Sequence, residues 1–400
     1  MSHDTLPPAR SMVGVRLALF TDTYAPQVNG VARTLERLVQ ALRERGGEVL
    51  VFTTTDRDAD AGAGVVRYRG RPFWAYPQLQ LAWPLSRDVI TRLQAFRPTI
   101  IHAATEFGVG LAGRRAARRL GVPFVSSYHT SFTAYAAHYG LGALAAPGWA
   151  FLRWFHNGGL RTYCPTRAIV QEVEAHGFER CAVWSRGVDT TRFSPRFRSS
   201  AFRANAGASD DMIVAAYVGR LAPEKGVSVA LDAVRLAMEA RPDRFRLVVV
   251  GDGPSDHEAR AAAPRGSTFT GRLEGQALGE AYASSDVLLF PSTTDTFGNV
   301  ILEAMASGTP VIGADVGPTR ETLLPGRGWV APADAPEAFA ERLIALADDR
   351  IALRTMREEA LAHAGTRSWR AVWDALFADY LTLQAAAASG RAESDPIRAT

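Results

Sequence analysis

Lysine is almost missing from this 400-residue chain: its basic side chains are 44 arginines and a single lysine, Lys225. So lopsided a choice makes the one compact ammonium informative, because arginine offers a planar fork where lysine offers a small charge on a flexible stem. Cysteine is nearly as scarce. Cys164 and Cys181 are too few for a disulfide framework and too far apart in sequence for a close metal-ligand pair, so free buried thiols in a reducing compartment are expected. No apolar run approaches the roughly 18 residues of a membrane-spanning helix. The stretch before Gly14 lacks a basic segment followed by an apolar core, so export is not expected and a cytoplasmic location is. Charge of one sign is not in excess either. A formal net charge of +4 supplies no basic stripe for a run of phosphates, which argues against nucleic acid as a partner. Histidines form no HxxxH or HxH pair, and a metal-independent chemistry is expected. A Walker loop and a Gly-x-Ser-x-Gly turn are lacking, and the loop at Asn29-Gly30 has too few glycines for a dinucleotide fingerprint.

What is present is a globular chain, 47% hydrophobic and 22% charged, long enough for two cores. Short apolar runs alternate with helical periodicity, which predicts α/β domains with parallel sheets. Residues 15–20 read as a strand, followed by a polar loop ending in Asn29-Gly30 and a helix whose face carries Val31, Leu35, Leu38, Val39 and Leu42. That Asn-Gly pair is either an ordinary turn or a place where helix N-terminal amides meet an anion or sugar oxygen. Further strands are expected at 49–54, 99–103, 123–127, 161–165 and 182–185, with residues 67–83 an aromatic, proline-rich excursion. His129 follows the 123–127 strand at its carboxyl end, where open α/β sheets place ligands. The aromatic segment 135–156 reads equally as a lipid or partner surface and as buried helix packing. We expect a first domain over 14–193, a polar crossing over 193–206, a second domain over 207–364, and an amphipathic helix over 368–384 returning to the first, with a disordered tail beyond it.

The second domain holds the densest signals. A strand at 213–218 runs into Gly219-Arg220, and Lys225-Gly226 precedes the next helix. A fork, an ammonium and helix amides together suit a diphosphate. Glu224 offers the plainer reading, a solvated loop in which it neutralises one of the two cations. Gly251-Asp252-Gly253-Pro254 permits close backbone approach at the end of a second strand. After a third strand comes Asp295-Thr296-Phe297-Gly298-Asn299, and then Glu303 inside an apolar helix. Asp295 can accept from sugar hydroxyls, amides at 297–299 can face hydroxyls or phosphate oxygens, and Glu303 can accept both donors of a ribose diol.

Together, Asn29-Gly30-Val31, His129-Thr130, Arg186-Gly187-Val188-Asp189, Gly219-Arg220 through Lys225-Gly226, Gly251 through Pro254, and Asp295 through Glu303 resemble the retaining GT-B glycosyltransferase family 4, over nearly the whole chain. Phe20 through Pro26 and Tyr128-His129-Thr130-Ser131-Phe132 are most similar to its bacterial GDP-mannose-dependent α-mannosyltransferases. The resemblance implies two Rossmann-like domains facing across a cleft, and transfer of a hexose from a nucleotide-sugar donor, GDP-mannose above others, to a lipid or glycan acceptor. It implies no cofactor or metal, and a place at the inner face of the cell membrane with peripheral contact. It assigns Arg220 and Lys225 to the diphosphate, Gly219 and Gly251 to the donor loops, Arg272 and Leu273 to the base, and Glu303 to ribose. Phe297, Gly298 and Asn299 would hold the transferred sugar, Gly30 would lie near the phosphates, and His129 would lie near the sugar. Asp295 stands where the family's paired glutamates begin, one methylene shorter. A UDP-sugar-dependent glucosyl- or galactosyltransferase, and a non-catalytic nucleotide-sugar-binding protein, are the alternatives.

Overall fold

The computed structural model describes residues 9–27, 29–55, 63–73, 76–130, 145–324 and 326–390. Ser131, Phe132 and residues 135–144 of the aromatic segment lie outside the described residues. The chain divides into two compact units, one taking the chain up to Ser185 and again from Arg370, the other Arg186–Trp369.

In the first unit the strands are β1 (Arg16–Phe20), β2 (Glu48–Thr54), β3 (Val65–Tyr68), the pair β4 (Arg71–Phe73) and β5 (Tyr76–Leu81), β6 (Ile100–Ala103), β7 (Phe124–Ser127), β8 (Arg161–Cys164) and β9 (Cys181–Val183). Seven of them form one sheet in the order β3-β2-β1-β6-β7-β8-β9, with every pairing parallel. β4 and β5 form a separate antiparallel hairpin. The central strands are apolar on both faces because helices cover both. Phe20 stacks on Phe52 with ring centroids 4.4 Å apart, and Leu93, Ile101, Phe124 and Phe155 complete that core. The excursion at 67–83 thus contains regular structure, since its ends pair with one another and with β2. In the helix Ala145–Asn157, Leu152, Phe155 and His156 are buried while Trp154 stays 45% exposed. The described part of the aromatic segment therefore packs one face into the core and leaves Trp154 on the other.

The last helix, Trp369–Ala388, docks on this unit. Trp373, Leu376, Phe377 and Tyr380 are buried at helical spacing. Around them, the Arg161 guanidinium forks onto Asp379 at 3.0 and 3.0 Å, Tyr163 Oη donates to Asp379 at 2.8 Å, and Arg45 Nη1 meets Asp374 at 2.9 Å. The expected disordered tail starts later than residue 384, because the helix runs on to Ala388 through alanines.

The second unit contains β10 (Ile213–Val218), β11 (Phe245–Val250), β12 (Thr268–Gly271), β13 (Val287–Phe290), β14 (Val311–Ala314) and β15 (Gly328–Ala331), all parallel, in the order β12-β11-β10-β13-β14-β15. This is the doubly wound nucleotide-binding arrangement, whose strand order reverses between β10 and β13. Two Rossmann-like α/β units, as expected, make the fold. The polar stretch 193–206 belongs to this second unit rather than crossing between units: Phe193 and Ala206 are buried in its core, and Ser200–Asn205 is a short helix. The chain changes units at Ser185–Arg186 instead.

Candidate active site

In an open α/β sheet the ligand sits beyond the carboxyl ends of the strands where their order reverses. In the second unit that point is flanked by the loops after β10 and β13, which carry Gly219 to Lys225 and Pro291 to Gly298. One ion pair spans them: Lys225 Nζ lies 2.9 Å from Asp295 Oδ2. Ser292 Oγ donates to the same oxygen at 2.5 Å. Burial would raise the Asp295 pKa, but the Lys225 ammonium and the Ser292 hydroxyl outweigh it and hold the carboxyl below its usual range. It is therefore ionised at neutral pH.

Arg220 pairs through Nη2 with Glu224 Oε1, one helical turn further on. Glu224 is buried, and its carbonyl accepts from Thr294 Oγ1 at 3.4 Å, a second tie to the loop after β13. From beneath, Tyr217 Oη donates to the carbonyls of Arg220 at 3.1 Å and Lys225 at 3.4 Å. Lys225 therefore ends a short 3-10 turn, Pro223–Lys225, with Arg220 just before it, and Tyr217 of β10 holds the backbone carbonyls of both.

The neighbouring loop is zipped to this one. Leu221 N donates to Asp252 O at 2.8 Å, Ser255 N to Leu221 O at 2.9 Å, and Gly251 N to Gly271 O at 2.9 Å. Gly251 is required here: its φ is +141°, and a Cβ would stand 1.9 Å from the Gly219 carbonyl oxygen. Arg272 and Glu274 form a 2.7 Å ion pair on the exposed rim after β12, with Leu273 half-buried between them.

After β13, Phe297 is buried and Gly298 takes φ +78° to start the helix Asn299–Ala306. No side chain caps that helix, nor the helix Val227–Ala240 that follows Gly226. Two helix N-termini thus present backbone amides at the switch point, the arrangement that favours phosphate. Glu303, the only charged residue of its helix, is half-buried, and its Oε2 accepts from Tyr282 Oη at 3.0 Å.

The first unit treats the equivalent positions differently. Asn29 Oδ1 caps the helix Gly30–Glu44 by accepting from Ala32 N at 2.9 Å. At the switch between β1 and β6, the buried Asp22 carboxylate accepts from Thr105 Oγ1 at 2.6 Å and from Val109 N at 3.1 Å, in the first turn of the helix Gly108–Leu120. Burial pushes the Asp22 carboxyl up to about 7, against those hydrogen bonds, with Glu106 adding repulsion. At its switch point the first unit therefore fills the helix N-termini with its own side chains, while at its switch point the second leaves them uncapped. His129 lies buried at the end of β7, edge-on to Trp184 with centroids 5.2 Å apart.

Of the residues singled out in the sequence, Arg220, Lys225, Asp295, the 297–299 loop, Gly219 and Gly251 gather at the switch point of the second unit, with Glu303 in the helix leading from it. Arg272 and Leu273 stand at its β12 edge, and Gly30 and His129 belong to the first unit. Tyr217, Tyr282 and Ser292 escaped the sequence reading. Each lies on a different element from the group it holds or several residues away from it, and a tyrosine or serine in an apolar stretch carries no spacing signal.

Among the described residues, no three His, Cys, Asp or Glu side chains gather into a metal-holding group, and no helix is long and apolar enough to cross a membrane.

Two Rossmann-like α/β units, with uncapped helix N-termini at the switch point of the second, suit a glycosyltransferase that takes a nucleotide sugar, and the sequence comparisons show that class. Residues 28–192 match the family model Glycosyltransferase Family 4 and residues 213–349 match Glycosyl transferases group 1; the chain belongs to this family. It is 35% identical over 382 residues to a GDP-mannose-dependent alpha-mannosyltransferase of Mycobacterium tuberculosis, covering 92% of this chain and 97% of that one. With the sulfoquinovosyl transferase SQD2 of Arabidopsis thaliana it shares 35% over 313 residues, 76% of this chain and 60% of the other. Among solved structures, Anabaena HepE in complex with UDP and glucose superposes with a TM-score of 0.74 at 20% identity, over 92% of this chain and 99% of that one.

Proposed function

We propose that this glycosyltransferase moves an α-mannosyl residue from GDP-mannose, with retention of configuration, to a hydroxyl of a lipid-linked or glycan acceptor. The observation that carries the site assignment is the Lys225–Asp295 pair bridging the two switch-point loops. It holds an ammonium where a diphosphate belongs, beside a carboxylate suited to sugar hydroxyls. Similarity to the mannosyltransferase of Mycobacterium tuberculosis over nearly the full length of both chains supports the choice of donor.

In this reading Arg220 and Lys225 stabilise the charge that grows on the leaving diphosphate as the sugar–phosphate bond breaks. Their contribution rises towards the transition state, which is where it accelerates the reaction. The amides of the two uncapped helices share that load. Asp295 orients the hexose, and Glu303 holds the ribose. The departing phosphate takes the acceptor proton on the same face of the sugar, so no protein nucleophile and no metal is required. The family resemblance assigns His129 to the sugar and Gly30 to the phosphates. The acceptor is met at the inner face of the cell membrane. Exposed Trp154, with the Arg114 guanidinium 4.0 Å above its ring, supports peripheral lipid contact there.

A UDP-hexose donor is the second reading, favoured by the UDP and glucose held in the solved structure of Anabaena HepE, whose fold is similar. The deciding experiment incubates purified protein with labelled GDP-mannose, UDP-glucose or UDP-galactose and a lipid extract, and identifies the anomer formed. Mannose transferred with its α configuration kept supports the proposal. Transfer from a UDP-sugar alone replaces the donor, and tight donor binding with neither transfer nor hydrolysis replaces the enzyme with a binding protein.

A further inference from the structure

Glu303 is an exception in its helix. The sequence NVILEAMA packs Ile301, Leu302, Ala304 and Met305 into the core, and a lone carboxylate emerging from that surface has no helical neighbour of opposite charge. Tyr282, from a different helix, reaches it. The ring of Tyr282 is wholly buried at the end of the helix Gly275–Ser284, edge-on to Phe193 with centroids 5.8 Å apart. Its own carbonyl accepts from Thr309 Oγ1 at 2.7 Å, which fastens the end of that helix to the segment just before β14. With ring and backbone both immobilised, the hydroxyl is directed at Glu303 Oε2, 3.0 Å away.

We infer that Tyr282 is a positioning residue for ribose recognition: it donates to Glu303 and thereby fixes the carboxylate in the orientation that accepts the 2′- and 3′-hydroxyls of the donor nucleotide. This rests on the ribose role proposed for Glu303. A carboxylate accepts about four hydrogen bonds, so accepting from a phenol is compatible with also accepting from a diol. The geometry also has an energetic logic. A half-buried glutamate gives up side-chain freedom when it clamps a ligand, and a preset rotamer removes that cost from binding. Tyr282 thus acts on donor affinity through the sugar of the nucleotide. It touches neither the diphosphate nor the hexose.

The test is a comparison of two ligands in two proteins. Wild type and Tyr282→Phe are titrated with the nucleoside diphosphate the protein binds, GDP or UDP, and with its 2′,3′-dideoxy counterpart. Wild type should prefer the ribose form by about tenfold or more, the scale of a paired hydroxyl contact. In Tyr282→Phe that preference should shrink to about twofold, with affinity for the dideoxy form unchanged, donor KM raised and kcat held. A protein loosened only structurally would lose affinity for both ligands together. If Tyr282→Phe keeps the full preference, the inference fails while the ribose role of Glu303 stands. If wild type itself binds the two forms equally, that role fails and the inference with it. Glu303→Ala provides a second arm as a double-mutant cycle, with thermal melts checking that each variant is folded. Adding Tyr282→Phe to Glu303→Ala should change the residual preference no further, and an additional loss would overturn the coupling.

Discussion

Lys225 and Asp295 lie seventy residues apart in sequence, and their meeting turns two suspicious side chains into one device. Each neutralises the other before a donor arrives, so neither stands as an isolated charge at a partly buried site. A diphosphate entering there competes with Asp295 for the ammonium. Replacing Lys225 by alanine should lower kcat/KM about 100-fold or more, the scale of losing one charged donor to a developing anion. The melting temperature should move far less, since Ser292 still donates to Asp295. Arg220→Ala should behave similarly, and unchanged turnover in both variants would sink the diphosphate assignment. Asp22 makes the opposite kind of prediction. Its folded pKa of about 7 lies above its unfolded value of about 3.8, so the native state holds a proton the unfolded chain has released. Stability therefore falls as pH rises from about 4 to 7, by up to about 1.4 kcal/mol per pH unit. Asp22→Asn should flatten that slope in urea titrations, and an unaltered slope would mean the carboxyl ionises at no cost. The charged residues of the site were legible because each broke a compositional pattern: the single lysine, the carboxylate in an apolar helix, the acid before a glycine loop. Tyr282 and Ser292 break no pattern, and only the packing of separate elements reveals what they touch.

Among the elements, the turn from β13 into the helix Asn299–Ala306 combines a left-handed glycine with close side-chain packing. Gly298 stands at φ +78°, and a Cβ there would lie 2.9 Å from the Phe290 ring and 3.1 Å from Ile301. Gly298→Ala must accept left-handed strain of the order of 1 kcal/mol and displace an aromatic ring. The loop would relax, and the amides after it would lose their aim. We expect donor KM to rise about tenfold or more with a modest loss of stability, measured by steady-state kinetics and thermal melts. A variant with normal KM would show that these amides do not meet the donor. Strands were the more legible elements: β1, β10, β11 and β13 are short, apolar runs buried on both faces. Several helices were not. Ser86–Phe96, Asp256–Ala262 and Gly317–Leu323 bury only one to three residues each, so their periodicity is too brief to separate from loop. β3 hides at a sheet edge, where partial exposure admits Arg67 and Tyr68 among its valines.

At the scale of the whole molecule, chain order and compactness disagree. The first unit is begun by residues before Ser185 and finished by residues after Arg370, with the entire second unit made in between. The last helix fills a place in the first core that no earlier segment can take. Tyr380 reaches buried His102, with Oη 2.5 Å from Nδ1, while the opposite ring nitrogen meets Ser127. Burial lowers the His102 pKa to about 3, so the imidazole is neutral and acts as a hydrogen-bond relay between the helix and β7. Asp379 meanwhile receives both prongs of Arg161 and the hydroxyl of Tyr163. Removing residues 370–400 would leave Arg161 and Tyr163 without their acceptor and expose the apolar face against Phe377 and Tyr380. The first unit should then melt at much lower temperature while the second, which holds none of these contacts, keeps its own transition. The milder Asp379→Ala should cost the first unit about 2–4 kcal/mol, because it strips a paired acceptor from a half-buried guanidinium and a buried phenol together. Calorimetry of the variants resolves the two units, and a synthetic peptide spanning 369–388 should restore the lost transition of the truncated chain. A truncated protein that melts like the intact one would show that the helix merely rests on the first unit and that its fold is complete by Ser185.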